Sequence, residues 1–111
     1  MYLYVEMWKP RKTWDGLSRE QRQEYLFQMS TGINKMVDSG IQLVGLALND
    51  GDVPNDADYR YMAVWKMPNR GHVHMLEKAV RAEGWDNYFE IGNARGQIIS
   101  VDEAIEDMVC C

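Results

Sequence analysis

The chain has 111 residues, 46% of them apolar and 26% charged, with a formal net charge of −5. That length and balance suit one soluble globular domain, residues 1–111. The acid excess leaves only Lys9, Arg11 and Lys12 as a basic cluster, which argues against a nucleic-acid partner, and no apolar run nears the ~20 residues that cross a bilayer.

The opening Met1-Tyr2-Leu3-Tyr4-Val5-Glu6 has neither a basic n-region nor a small-residue cleavage site, so it does not read as a signal peptide. Cys110 and Cys111 stand together at the end, where they cannot staple a fold, and a reducing, cytoplasmic setting is expected. Tyr2 to Trp8 alternates, with Leu3, Val5 and Met7 on one side and Tyr2, Tyr4, Glu6 and Trp8 on the other. This is a strand with an aliphatic and an aromatic face, closed by Pro10.

Ser18-Arg19-Glu20-Gln21 fits a capping box. The helix it starts runs to about Asp38, with Tyr25, Leu26, Met29, Ile33, Met36 and Val37 as its apolar stripe. Gly32 beside that stripe costs ~1 kcal/mol of helix stability, and a close helix–sheet contact is the expected reason. Ser39-Gly40 ends the helix. Ile41 to Leu48 is a second strand with two largely apolar faces. The acid-rich stretch from Asn49 to Asp58 lacks the glycine and glutamate positions of a calcium loop and reads as a hairpin connection.

Tyr59 to Lys66 is the third strand. Tyr59, Tyr61, Ala63 and Trp65 share one face; Met62 and Val64 lie on the other, between Arg60 and Lys66. Asn69 caps a helix from Arg70 to about Glu83 with Val73, Leu76, Ala79 and Val80 inward. Tyr88 to Ala94 is the fourth strand. A second capping box, Ser100 to Glu103, starts a short acidic C-terminal helix. No phosphate-binding glycine loop, nucleophile elbow or zinc-ligand spacing occurs, and no cofactor is expected.

The order strand, helix, strand, strand, helix, strand predicts an α+β, ferredoxin-like βαββαβ domain with a four-stranded antiparallel sheet. Both long helices are expected on one face. The aliphatic side, with Leu3, Val5, Met7, Met62 and Val64, is expected to meet them. The aromatic side, with Tyr4, Trp8, Tyr61 and Trp65, is expected to face away and to be covered by a second copy.

The element order, the opening Met1-Tyr2-Leu3-Tyr4-Val5-Glu6-Met7-Trp8-Lys9-Pro10 and the central Tyr61-Met62-Ala63-Val64-Trp65-Lys66-Met67-Pro68 resemble the dimeric α+β barrel superfamily. Its branches include stress-responsive A/B barrel proteins, antibiotic-biosynthesis monooxygenases, EthD-like and YCII-like proteins. The resemblance implies a homodimer with an apolar pocket between sheet and helices. It carries no catalytic motif onto this chain.

Three readings of the pocket follow. In the first it holds a small hydrophobic molecule with a polar or carboxylate end, such as a fatty-acid-like chain, a polyketide or an aromatic acid. Tyr4, Trp8, Tyr61 and Trp65 would line it, and Arg60, Lys66 or Arg95 would hold a carboxylate. Glu6 and, more weakly, His74 are the acid–base candidates if the protein is a cofactor-independent monooxygenase or isomerase. In the second reading the protein is a non-enzymatic structural dimer, against which a void of ~300 Å³ would argue. In the third, His72 or His74 is an axial ligand to haem.

Overall fold

The computed structural model describes all of residues 1–111. Nine elements follow in order: β1 (Tyr2–Pro10), α1 (Lys12–Asp15), α2 (Arg19–Asp38), β2 (Gln42–Leu48), β3 (Tyr61–Met67), α3 (Arg70–Ala82), α4 (Trp85–Tyr88), β4 (Phe89–Gln97) and α5 (Val101–Cys110). The strands form one antiparallel sheet in the order β2-β3-β1-β4, the ferredoxin-like arrangement. Both capping boxes form. Ser18 accepts from the Gln21 N–H while Gln21 reaches back to Ser18, and Ser100 and Glu103 do the same for α5. Asn69 caps α3 by accepting from the His72 N–H.

The two faces of the sheet are the reverse of expectation. Tyr4, Ala63 and Trp65 are buried in one cluster with Met36 and Ile41 at the end of α2 and Val73 and Leu76 of α3. Trp8 and Tyr2 pack against the same cluster. The aromatic side therefore lies beneath the chain's own helices, and the aliphatic side is the open one. The physical reason lies in the edge strands. On the open side Leu3, Val5 and Met7 pair with Gly96, Ala94 and Gly92, and Val64 and Met62 pair with Gly45 and Ala47. These small residues make the aliphatic side the poorer in apolar area, so folding gains more by covering the rings. A bulge between Leu43 and Gly45 sets this up. It shifts the parity of β2 and brings Leu43, Leu46 and Leu48 to the aromatic side, opposite Trp65, Ala63 and Tyr61.

A second cluster forms from Trp14, Met29, Trp85 and Phe89. It explains the two short helices, α1 and α4. Each is a single turn held by its tryptophan and by the bond from the Arg11 N–H to the Tyr88 carbonyl. Gly84, at φ 69°, supplies the left-handed step from α3 into α4. β4 begins at Phe89 and runs on to Gln97.

At one end of the open face the Tyr59 ring lies over Gly92, so that a side-chain carbon there would stand 2.7 Å from the Tyr59 hydroxyl. Lys9 sits 5.6 Å from the centre of the same ring. α5 leaves the sheet after Ile98, whose N–H donates to the Met1 carbonyl. It buries no residue, and Val101, Ile105, Met108 and Val109 are all exposed.

Candidate functional site

The site is built upward from the middle of β1. Strand alternation sends Tyr4, Glu6 and Trp8 to the helix side, and Glu6 falls between Ala63 of β3 and Asn93 of β4. Ala63 is buried but short, so it does not fill the space beside Glu6. Met29, Ile33 and Met36 of α2 and Leu76, Ala79 and Val80 of α3 arch over that gap. Trp8, Trp65 and Trp85 complete the walls of a cavity of about 240 Å³. Thirteen of its 17 lining residues are hydrophobic; its only charged ones are Glu6 and Glu83, both acids.

Glu6 is 6% exposed and is the one charged residue in the core. Burial alone raises its pKa from 4.5 to about 7; no hydrogen bond or neighbouring charge contributes to the shift. Trp65 and Trp85 each bury an indole N–H that meets no protein acceptor, at a cost of roughly 1–3 kcal/mol apiece.

Glu6 also borders an open polar groove of about 730 Å³, lined by Tyr4, Asn93, His74, Glu77 and Arg81 among others. Glu77 is the centre of this groove. It accepts from the Tyr4 hydroxyl at 3.3 Å and from Arg95 Nε at 3.0 Å, and it lies 3.5 Å from His74 Nδ1. Burial, then the charges of Glu77 and Glu6, pushes the Tyr4 phenol up to about 12. Glu6 thus stands in a wall shared by an apolar cavity and a wet, charged groove.

The cavity comes nearest to a surface pocket between α2 and the end of α3, which makes this gap the candidate way in. Gly32 and Glu83 line the cavity, and both also line a shallow pocket on the outer surface beside Phe27 and Lys35. Gly32 does not mark a close helix–sheet contact. A side-chain carbon placed there meets nothing within 4 Å. Opposite it, the Glu83 carbonyl accepts from the Tyr25 hydroxyl at 2.7 Å.

The residues singled out in the sequence divide. Glu6, Trp8 and Trp65 line the cavity; Tyr4, Glu6 and His74 line the groove. Tyr61 stacks on Trp8 at 5.7 Å and lines neither. Lys66 pairs with Leu3 and Gln42 on the open face, away from the cavity. Arg60 lies over the Tyr61 ring at 5.6 Å. Neither cation reaches the cavity, because strand parity puts Lys66 on the wrong side and Arg60 stands outside β3. Arg95 is held by Glu77. No histidine lines the cavity. The two ring nitrogens of His72 lie 2.9 Å from Asn69 Oδ1 and 3.0 Å from the Ser39 carbonyl, which ties the start of α3 to the end of α2. Sequence reasoning missed Trp85 and Glu83, whose role depends on the turn at Gly84. It flagged Gly32 by its helix cost but gave it the wrong reason.

Several solved structures share this fold. A chlorite dismutase variant from Candidatus Nitrospira defluvii superimposes with a TM-score of 0.67 at 17% identity, over 96% of this chain and 43% of that one. The chain therefore spans less than half the length of that protein. A protein from Arabidopsis thaliana gives 0.58 at 12% identity, over 91% of this chain and 98% of that one. A dimeric ferredoxin-like protein of unknown function from Thermobifida fusca gives 0.51 at 8% identity, over 87% and 90%. Likeness at these identities speaks to the fold alone. No curated protein matches the sequence. Over residues 1–111 the chain belongs to a family of unknown function, DUF6616.

Proposed function

We propose that the protein is a homodimer that binds a small apolar molecule bearing one polar group in the cavity between sheet and helices. The observation that carries this reading is the pairing of an apolar cavity with a buried, unpartnered carboxyl in its wall. Burying a carboxyl without a partner is costly, and chains that keep one commonly use it. At about 240 Å³ the cavity lies just below the usual range of ligand pockets. It has room for roughly eight water-sized groups at ~30 Å³ each. A single ring or a chain of about eight carbons fits it; a longer fatty chain or a polyketide would extend out through the open side of the cavity.

The dimer is supported by the open face. Leu3, Val5, Met7, Met62 and Val64 leave one side of the sheet apolar with no helix of the chain above it, and α5, which buries no residue, offers a further exposed apolar stripe. A dimeric protein shares the fold.

Native mass spectrometry of freshly purified protein tests both parts. The expected spectrum is a dimer that carries, or takes up on addition of 1-octanol, one small molecule per subunit. A lone subunit overturns the dimer. Failure to take up 1-octanol or toluene, with no carried mass, overturns the binding reading.

A further inference from the structure

We infer that the cavity is selective for a lipophilic amine in its cationic form, with the ammonium group set against Glu6 beside the tryptophans and the alkyl or aryl part along the aliphatic side chains of α2 and α3. This rests on the cavity reading above and narrows it to one class of ligand.

Four features of the cavity point the same way. First, its two charged residues, Glu6 and Glu83, are both acids. A ligand carboxylate would enter an apolar space beside two like charges with no cation to meet it, and buried unpaired charge is strongly unfavourable. Second, Glu6 itself lacks a partner, and an ammonium would supply one. Third, Trp8, Trp65 and Trp85 line the space. Indole faces attract cations through their quadrupole, most strongly where water is excluded. Fourth, the last turn of α3 contributes Ala79, Ala82 and the cap residue Glu83. The C-terminal end of a helix carries partial negative charge, which favours a cation there.

The basic side chains nearby do not cancel this field. Arg60 and Lys66 lie outside the cavity, and Arg95 is committed to Glu77. Lys78 and Arg81 face the polar groove beyond Glu6, with Glu77, Asp86 and His74 beside them. Within the cavity Glu6 lies beside Ala63 of β3, no basic side chain lines the wall, and the other lining residues that are not apolar are Ser30, Gly32 and Glu83; on the groove side the Tyr4 phenol is the titratable neighbour on its own strand. Lys35 stands at the outer pocket, by the entrance, not inside it.

The experiment uses three probes of equal length, octylamine, 1-octanol and octanoate, titrated by calorimetry into the full-length protein at pH 8. Octylamine is expected to bind at least tenfold more tightly than 1-octanol, and octanoate more weakly than either. Glu6→Gln is expected to abolish the preference, the two affinities converging because octylamine loses at least tenfold more than 1-octanol does. Glu83→Gln should reduce the preference by a smaller factor. Octyltrimethylammonium, whose charge does not change with pH, should bind about tenfold more tightly at pH 8 than at pH 6 as Glu6 ionises. Equal or tighter binding of 1-octanol or octanoate overturns the amine inference and leaves the cavity reading standing. No binding of any of the probes removes both. An amine preference that survives unchanged in Glu6→Gln also overturns the assignment, because the carboxyl would then not be its source.

Discussion

A carboxyl group set in an apolar wall holds its proton more tightly than the same group in an unfolded chain. For Glu6 the folded value is about 7 against 4.5 for the free side chain. Between those two pH values the folded protein carries a proton that the unfolded chain has lost. Stability therefore falls as pH rises from about 4.5 to about 7, and levels off above. The loss is on the order of 3 kcal/mol. Urea unfolding at pH 5 and pH 8 should show this loss in the natural protein relative to Glu6→Gln. Parallel pH profiles for the two proteins would contradict the burial argument. At this scale part of the site was legible. Period-two alternation sets Glu6 beside Tyr4 and Trp8, and a carboxyl among rings is a carboxyl to be desolvated. Its neighbours across the cavity were not legible. Gly84 marks the left-handed end of α3 in the sequence, but that the turn after it carries Trp85 into the cavity wall is not a local signal.

Among the elements, α2 shows most plainly how a local cost serves a distant shape. Gly32 lies mid-helix with no contact that forbids a side chain. Alanine there should raise stability by up to ~1 kcal/mol through helix propensity, seen as a higher melting temperature. Leucine at the same place should fold as well as alanine but reach into the entrance, and uptake of 1-octanol should fall at least tenfold in the same titration. If Gly32→Leu binds as before, the gap between α2 and α3 is not the way in. Caps and stripes in this chain were readable because they act through residues three and four apart: Ser18 with Gln21, Ser100 with Glu103, Val73 with Leu76. The orientation of the sheet was not. It depends on the bulge at Leu43–Gly45 and on which edge-strand residues are small, and both emerge only when strands far apart in sequence are paired. Alternation gave two apolar faces on β1 and β3 but could not rank them.

For the molecule as a whole, size limits what one copy can hide. Only 13 of 111 residues are buried, and the radius of gyration is 15.9 Å against about 13 Å for a compact chain of this length. The open sheet is four strands wide. At ~4.8 Å per strand and ~3.3 Å per residue, its strands of seven to nine residues offer on the order of 500 Å² in projection. A standard interface needs about 800 Å² per partner. The sheet alone falls short of that, and the exposed apolar residues that follow β4, Ile98 and Ile99 and then the stripe on α5, are further surface able to make up the difference. Two variants test this separately by light scattering on eluted protein: Val5→Lys with Val64→Asp on the sheet, and Ile105→Asp with Met108→Asp on α5. Each pair should shift the proposed dimer to monomer while far-ultraviolet circular dichroism stays that of the parent. A dimer that survives both would place its contact elsewhere. Tyr59 adds an asymmetry. By lying across Gly92 it roofs one end of the exposed sheet with the chain's own ring. Any approaching layer must settle toward the opposite end, around Leu3, Val5 and Val64. Glycine at position 92 therefore fixes where along the strands two molecules could meet, since even a methyl group there would evict the ring and lay that end of the sheet bare.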